Sequence, residues 1–185
     1  MNSNRLLLVS GSLAVAFMSR ADAANLITNP NFDQGLTGWT SQVIAGDSFS
    51  IDATDGSPGA PSAHAIASNV YSIFSDCMQI TSQNVDLYAN VKVQGIGTTV
   101  VGAASYGDAA CGEASYLAEN DMQWSASDTV WTEKSILSFA LPVGTQSVFV
   151  YLKVFTQAQA DVHYDSIRFG PAGTTPVSLQ AFEVD

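Results

Sequence analysis

Residues 85–94, VDLYANVKVQ, alternate without a break. Val85, Leu87, Ala89, Val91 and Val93 form one set; Asp86, Tyr88, Asn90, Lys92 and Gln94 form the other. A helix would intermix these sets around its axis, whereas an extended strand sends them to opposite faces, one apolar and one wet. Such a strand needs hydrogen-bonded neighbours and a second apolar layer over its dry face. Residues 148–155 repeat the pattern with a difference. Val148, Val150, Leu152 and Val154 make the dry side, but Phe149, Tyr151 and Phe155 share the other side with Lys153. Three aromatics on a face that ought to meet water call for a partner.

After residue 24 almost nothing has a helical period. Short alternating runs recur between clusters of Gly, Ser, Asp, Asn and Pro, the pattern of an all-β chain. Further strands are expected at 39–44, 48–53, 63–68, 76–81, 98–106, 114–118, 131–141 and 162–169, with a last one at 176–184. Residues 54–61 and 107–112 read as turns, and the stretch around Trp124 (NDMQW) as a polar loop. Without helical crossovers, the expected architecture is all-β, a two-sheet antiparallel jelly-roll β-sandwich. The 185 residues suit one domain, at about 100–200 residues per domain. It is assigned to residues 24–170, with 171–185 as an extra strand or tail.

Residues 1–23 have the make-up of a secretory signal peptide. Arg5 supplies the positive end, residues 6–17 an apolar run, and Ala21-Asp22-Ala23 an A-x-A cleavage site. That run is shorter than the roughly 20 apolar residues a membrane span requires. The chain is therefore expected to be secreted or periplasmic. Cleavage would remove two basic side chains and one acidic one, taking the formal charge from −11 to −12. So acidic a surface repels phosphate backbones and anionic lipid, which argues against nucleic-acid and membrane partners. It suits a neutral partner, a cation, or a need for solubility. Cys77 and Cys111 in an exported chain are expected to pair. The bridge would close a loop of about 35 residues and contribute roughly 3–4 kcal/mol. Two free thiols or a metal pair are the alternatives, and neither His64 nor His163 stands at ligand spacing from either cysteine.

The most specific stretch is 25–39, NLITNPNFDQGLTGW. Asn-Pro starts a turn, and Gly35 and Gly38 suit positive φ or close backbone approach. This string resembles the opening of carbohydrate-binding modules of the galactose-binding-like β-sandwich kind. Later segments resemble small secreted bacterial domains of this type in the same order. They are 50–63 with Asp52, Asp55 and Gly56, Cys77-Met78-Gln79-Ile80 with the strand after it, Cys111-Gly112, Asp128 to Trp131, and Tyr164-Asp165-Ser166-Ile167. The likeness covers residues 25–169. Val85 stands where these domains usually have Tyr, and Ser166 replaces the second Asp of the closing motif.

The resemblance implies a structural calcium between the opening motif and the closing strand, with Asp33 and Asp165 as its carboxylates. It also implies recognition of a neutral glycan by aromatics that stack on sugar rings and by amides that bond the hydroxyls. Trp124, in its supposed polar loop, is one expected contact. Tyr88 with Asn90 and Gln94 forms a second group, to which Tyr151 would add if its strand were a neighbour. Trp39 and Trp131 are expected to pack inside or under a loop. No Ser-His-Asp signature, HExxH, phosphate loop or nucleophile elbow occurs, so the chain reads as non-catalytic. A structural or adhesive protein using the sandwich for protein contacts is the competing reading.

Overall fold

The computed structural model describes residues 25–42, 44–155 and 159–174. The expected leader at 1–23 and the expected strand at 176–184 lie outside them. Eleven strands follow in order: β1 (Trp39–Ser41), β2 (Ser48–Asp52), β3 (Ser62–Ala67), β4 (Tyr71–Ser75), β5 (Met78–Gln79), β6 (Asn84–Gly95), β7 (Thr98–Tyr106), β8 (Tyr116–Ser125), β9 (Thr132–Ala140), β10 (Ser147–Phe155) and β11 (Ala160–Pro171). A single 3-10 turn, Glu113–Ser115, is the only helical element among the described residues. The front sheet has the order β1-β4-β10-β7-β8, with β5 also pairing to β10; the back sheet has the order β2-β3-β11-β6-β9. Every pairing is antiparallel. The chain is a two-sheet antiparallel jelly-roll sandwich.

The core lies where the alternation put it. Val85, Leu87, Ala89, Val91 and Val93 of β6 are fully buried against Val148, Val150, Leu152 and Val154 of β10. A buried hydroxyl pair crosses the gap between the sheets: Tyr164 Oη and Thr99 Oγ1 lie 2.5 Å apart, which satisfies two polar groups that burial would otherwise penalise.

Two elements depart from the expected pattern. Strand β4 occupies 71–75, and 76–81 holds only the two residues of β5. Tyr71 and Ile73 point into the core while Phe74 points outward, so apolar residues sit on both faces and the alternation is hidden. Strand β8 runs ten residues through the stretch read as a polar loop. Met122 and Trp124 alternate into the core while Asp121 and Gln123 stay exposed. Its pattern is hidden in the sequence because polar Asn120 takes one of the inward positions, half-buried at the edge of the sheet.

The opening segment closes the sandwich. Leu26 N donates to Phe169 O at 2.8 Å and Ile167 N to Pro30 O at 3.0 Å. Asn25 reinforces this, its Nδ2 donating to Ile167 O at 3.2 Å and its Oδ1 accepting from Phe169 N at 3.0 Å. Phe32 is fully buried beneath Trp39, their ring centroids 5.3 Å apart. The turn between them is held by Asn29, whose Nδ2 donates to Gly35 O and whose Oδ1 accepts from Gln34 N. Gly38 has φ +81°, and a β-carbon there would come within 2.8 Å of the Thr28 side chain. Only glycine fits that position.

Candidate glycan-binding face

The outward side of the front sheet is built from four strands whose register lines their side chains into rows. Phe74 of β4 lies opposite Tyr151 of β10, which lies opposite Gly102 of β7, which lies opposite Asp121 of β8. Gly102 is the reason the row works. A β-carbon there would collide with the Tyr151 ring and with Asp121, so the phenol lies across the backbone where a side chain would stand. Its hydroxyl donates to Asp121 Oδ2 at 3.2 Å. The Lys153 ammonium sits 4.1 Å from the ring centroid and reaches Glu119 Oε2 at 3.4 Å. Burial, aided by the charge of Asp121, pushes the Tyr151 phenol far above its ordinary value, so it stays a neutral donor.

Beside this row runs an aromatic ridge. Phe74 and Phe149 meet edge to face at 5.2 Å, as do Tyr106 and Tyr116 at 5.9 Å, and Phe149 and Tyr106 between them are tilted at 5.2 Å. Phe149 and Tyr151 of 148–155 thus find their partners in other strands, whereas Phe155 at the strand end is 41% exposed. Tyr116 is 49% exposed, while Phe74 and Phe149 are half-buried. Val100 and Ala104 floor the space between the rings and the polar edge. Burial raises the pKa of both Tyr106 and Tyr116.

The Cys77–Cys111 disulfide is formed. Cys111 packs against this aromatic cluster, so the bridge ties the 107–112 turn to the face. Ser147 secures the same turn, donating to Asp108 O at 2.6 Å and accepting from Cys111 N at 3.1 Å.

The expected contacts are distributed differently from the sequence reading. Tyr151 lies on this side of the sheet but is only 1% exposed, with the Lys153 ammonium over its ring, so it supports the face from beneath and offers no ring to stack on. Trp124 does not lie on this side: it is fully buried in the core, its Nε1 donating to Thr132 O at 2.9 Å, because β8 extends through its position. Tyr88, Asn90 and Gln94 lie on the outer side of β6, in the back sheet, so they cannot join Tyr151. Tyr88 is only 6% exposed, with the Arg168 guanidinium 4.7 Å over its ring. Asn90 Nδ2 donates to Ser57 Oγ at 2.6 Å, leaving its buried Oδ1 without a hydrogen bond. Gln94 is exposed. Trp39 is buried, and Trp131 is half-buried with Nε1 donating to Asp55 Oδ1 at 2.9 Å.

Asp165 sits at the seam, where β11 shifts register against β6 between residues 165 and 168. Ser166 takes a positive φ of 51° there. Asp165 is 1% exposed, with Ser57 N donating to its Oδ2 and Ser166 N to its Oδ1, each at 2.7 Å. Burial pushes its pKa up to about 7 against these two bonds, and the charge of exposed Asp33 adds to the rise. Asp33 is near enough for its charge to act on Asp165, and carboxylates beside turn carbonyls are the donor types a hard cation takes. The Asp52 loop is an Asx turn, with Thr54 N donating to Asp52 Oδ1 at 2.8 Å.

Sequence reasoning missed one cluster altogether. His64 of β3 and His163 of β11 are directly opposed across the back sheet. Their rings stack at 4.3 Å with planes 12° apart. Burial, with the charges of His64 and Lys92, holds His163 down at about 4. No sequence spacing signals a pair brought together by strand pairing alone.

No family model matches the chain, and no curated protein matches it. Among solved structures, a CBM61 module in complex with β-1,4-galactotriose is similar with a TM-score of 0.60 and 11% identity, over 80% of this chain and 99% of that one. A family 16 carbohydrate-binding module is similar with a TM-score of 0.58 and 20% identity, over 79% and 99%. A family 11 module from Clostridium thermocellum, in complex with a β-1,3-1,4-mixed-linked tetrasaccharide, is similar with a TM-score of 0.54 and 12% identity, over 76% and 92%. The chain has the β-sandwich fold of carbohydrate-binding modules.

Proposed function

We propose that this is a secreted or periplasmic carbohydrate-binding protein that holds a neutral glycan on the outer face of its front sheet and does not cleave it. The reading rests on the ridge of Phe74, Phe149 and Tyr116 running beside Asp121, Glu119 and Lys153, with the buried Tyr151 tying ridge to polar edge. It gives flat apolar surface beside fixed donors and acceptors, the two halves of sugar recognition. Tyr116 and the Phe149 edge take the apolar side of a sugar ring; Asp121, Glu119 and Lys153 take its hydroxyls. The binding modules among its structural neighbours support the same reading. A glycan array tests it. The purified protein is expected to bind one glycan class, and Tyr116→Ala or Asp121→Asn to weaken that binding at least tenfold, about 1.4 kcal/mol. Tyr88→Ala, on the opposite sheet, is expected to bind as the wild type does. Equal binding by all variants, or by none, would overturn the reading.

Calcium belongs to the same proposal. Asp33 and Asp165 would hold it, with backbone carbonyls of the opening turn completing the set, and it would offset the charge that burial penalises at Asp165. Added calcium is expected to raise the melting temperature of the wild type but not of Asp165→Asn. Secretion is tested by the N-terminal residue of exported protein, expected to be Ala24.

A further inference from the structure

The outer face of the back sheet, opposite the aromatic ridge, carries the second chemistry of the molecule. The chain's two histidines meet there beside Asp161. Asp161 Oδ1 lies 2.9 Å from His64 Nε2 and 3.3 Å from His163 Nε2. One ligand atom from each of the three residues lies within 4.8 Å of the other two. Bonds of about 2.0–2.1 Å to a tetrahedral zinc ion imply ligand–ligand edges of about 3.3 Å. Two of the three edges are thus close to that length already. The two rings stack with planes 12° apart, so holding one ion requires His64, whose side chain is 20% exposed, to turn out of the stack until its lone pair meets that of His163.

The surroundings give a further reason. His163 has a carboxylate at each ring nitrogen: Asp161 at Nε2, and Asp52 Oδ2 3.8 Å from Nδ1, with Ser62 Oγ 3.4 Å from the same atom. With a metal ion at Nε2, the ring would present its lone pair to the ion and turn its Nδ1–H toward Ser62 and Asp52. A carboxylate behind a ligating imidazole is the usual support of such a ligand. Trp131, edge-on to His163 at 6.2 Å, and the Lys92–Asp55 ion pair wall the site on one side.

We propose that His64, His163 and Asp161 form a binding site for one borderline divalent transition-metal ion of the zinc class, with the fourth position open. Nitrogen and carboxylate donors in this number suit such ions rather than calcium. The site adjoins the seam at Asp165, two residues further along the same face of β11, and lies on the opposite sheet from the glycan face.

The test is calorimetric titration of the full chain, freed of metal with a chelator, with zinc chloride in the presence of excess calcium. One equivalent of zinc is expected to bind. His64→Gln and Asp161→Asn, both at partly exposed positions, are expected to weaken it at least tenfold. Asp33→Asn is expected to bind zinc as the wild type does. Cobalt(II) provides the second readout: visible absorption of a four- or five-coordinate ion in the wild type, lost in the first two variants. No zinc uptake by the wild type, or unchanged uptake by His64→Gln and Asp161→Asn, would overturn the proposal.

Discussion

Gly102 does for the front sheet what no larger residue can, since its missing side chain is the bed on which Tyr151 lies. Gly102→Ala is expected to lift the ring and break its bond to Asp121. The cost should be about 1–3 kcal/mol in stability, as for other overpacked sites, together with at least tenfold weaker glycan binding. Denaturant titration and the glycan array read the two effects. Two buried ionisable groups act in opposite senses with pH. His163, held near 4 in the fold, titrates near 6.5 when unfolded. The unfolded chain therefore takes up the proton first, and stability is lost as pH falls from about 6.5 through 4. Asp165, raised to about 7 in the fold, titrates near 3.9 when unfolded. The folded chain holds that proton more tightly, and stability is lost as pH rises from about 4 through 7. His163→Gln removes only the first effect. Its melting temperature relative to the wild type is expected to rise steadily as the pH of calcium-free buffer is lowered from 7 to 4.

At the scale of elements, the disulfide joins the link between β4 and β5 to the turn before β8 and so fixes the border of the aromatic ridge. The Cys77→Ala/Cys111→Ala double variant is expected to lose about 3–4 kcal/mol by denaturant unfolding. The strands that the sequence makes plain are those with one dry and one wet face, β6 above all. Strand β4 escaped because Phe74 makes its outer face apolar too, and β8 because its edge position lets polar residues fall where burial is incomplete. The site was less legible than the fold. Tyr151 stood out as an aromatic on the wrong face, but its partners, Gly102 and Asp121, lie 49 and 30 residues away and are joined to it only by register. Trp124 misled because a run of polar neighbours looks alike in a loop and on an edge strand. The His64–His163 stack depends on the pairing of β3 with β11, which no local pattern specifies.

Over the whole molecule, the opening motif and the closing Tyr164-Asp165-Ser166-Ile167 meet as the family resemblance implied, the first bonding through its backbone along the end of β11. Asn25, bonded to Ile167 and Phe169, marks the point where the described chain enters the sandwich, and β11 marks where it leaves. Entrance and exit are therefore next-door neighbours, and the order in which the strands are synthesised is a matter of wiring more than of architecture. A rearranged gene that bridges these two points with a short Gly/Ser linker and starts instead at the exposed Val143-Gly144 turn is expected to yield the same β-rich circular dichroism spectrum and a cooperative melt. A module with this wiring can be spliced into the surface loop of a host protein without stretching either one.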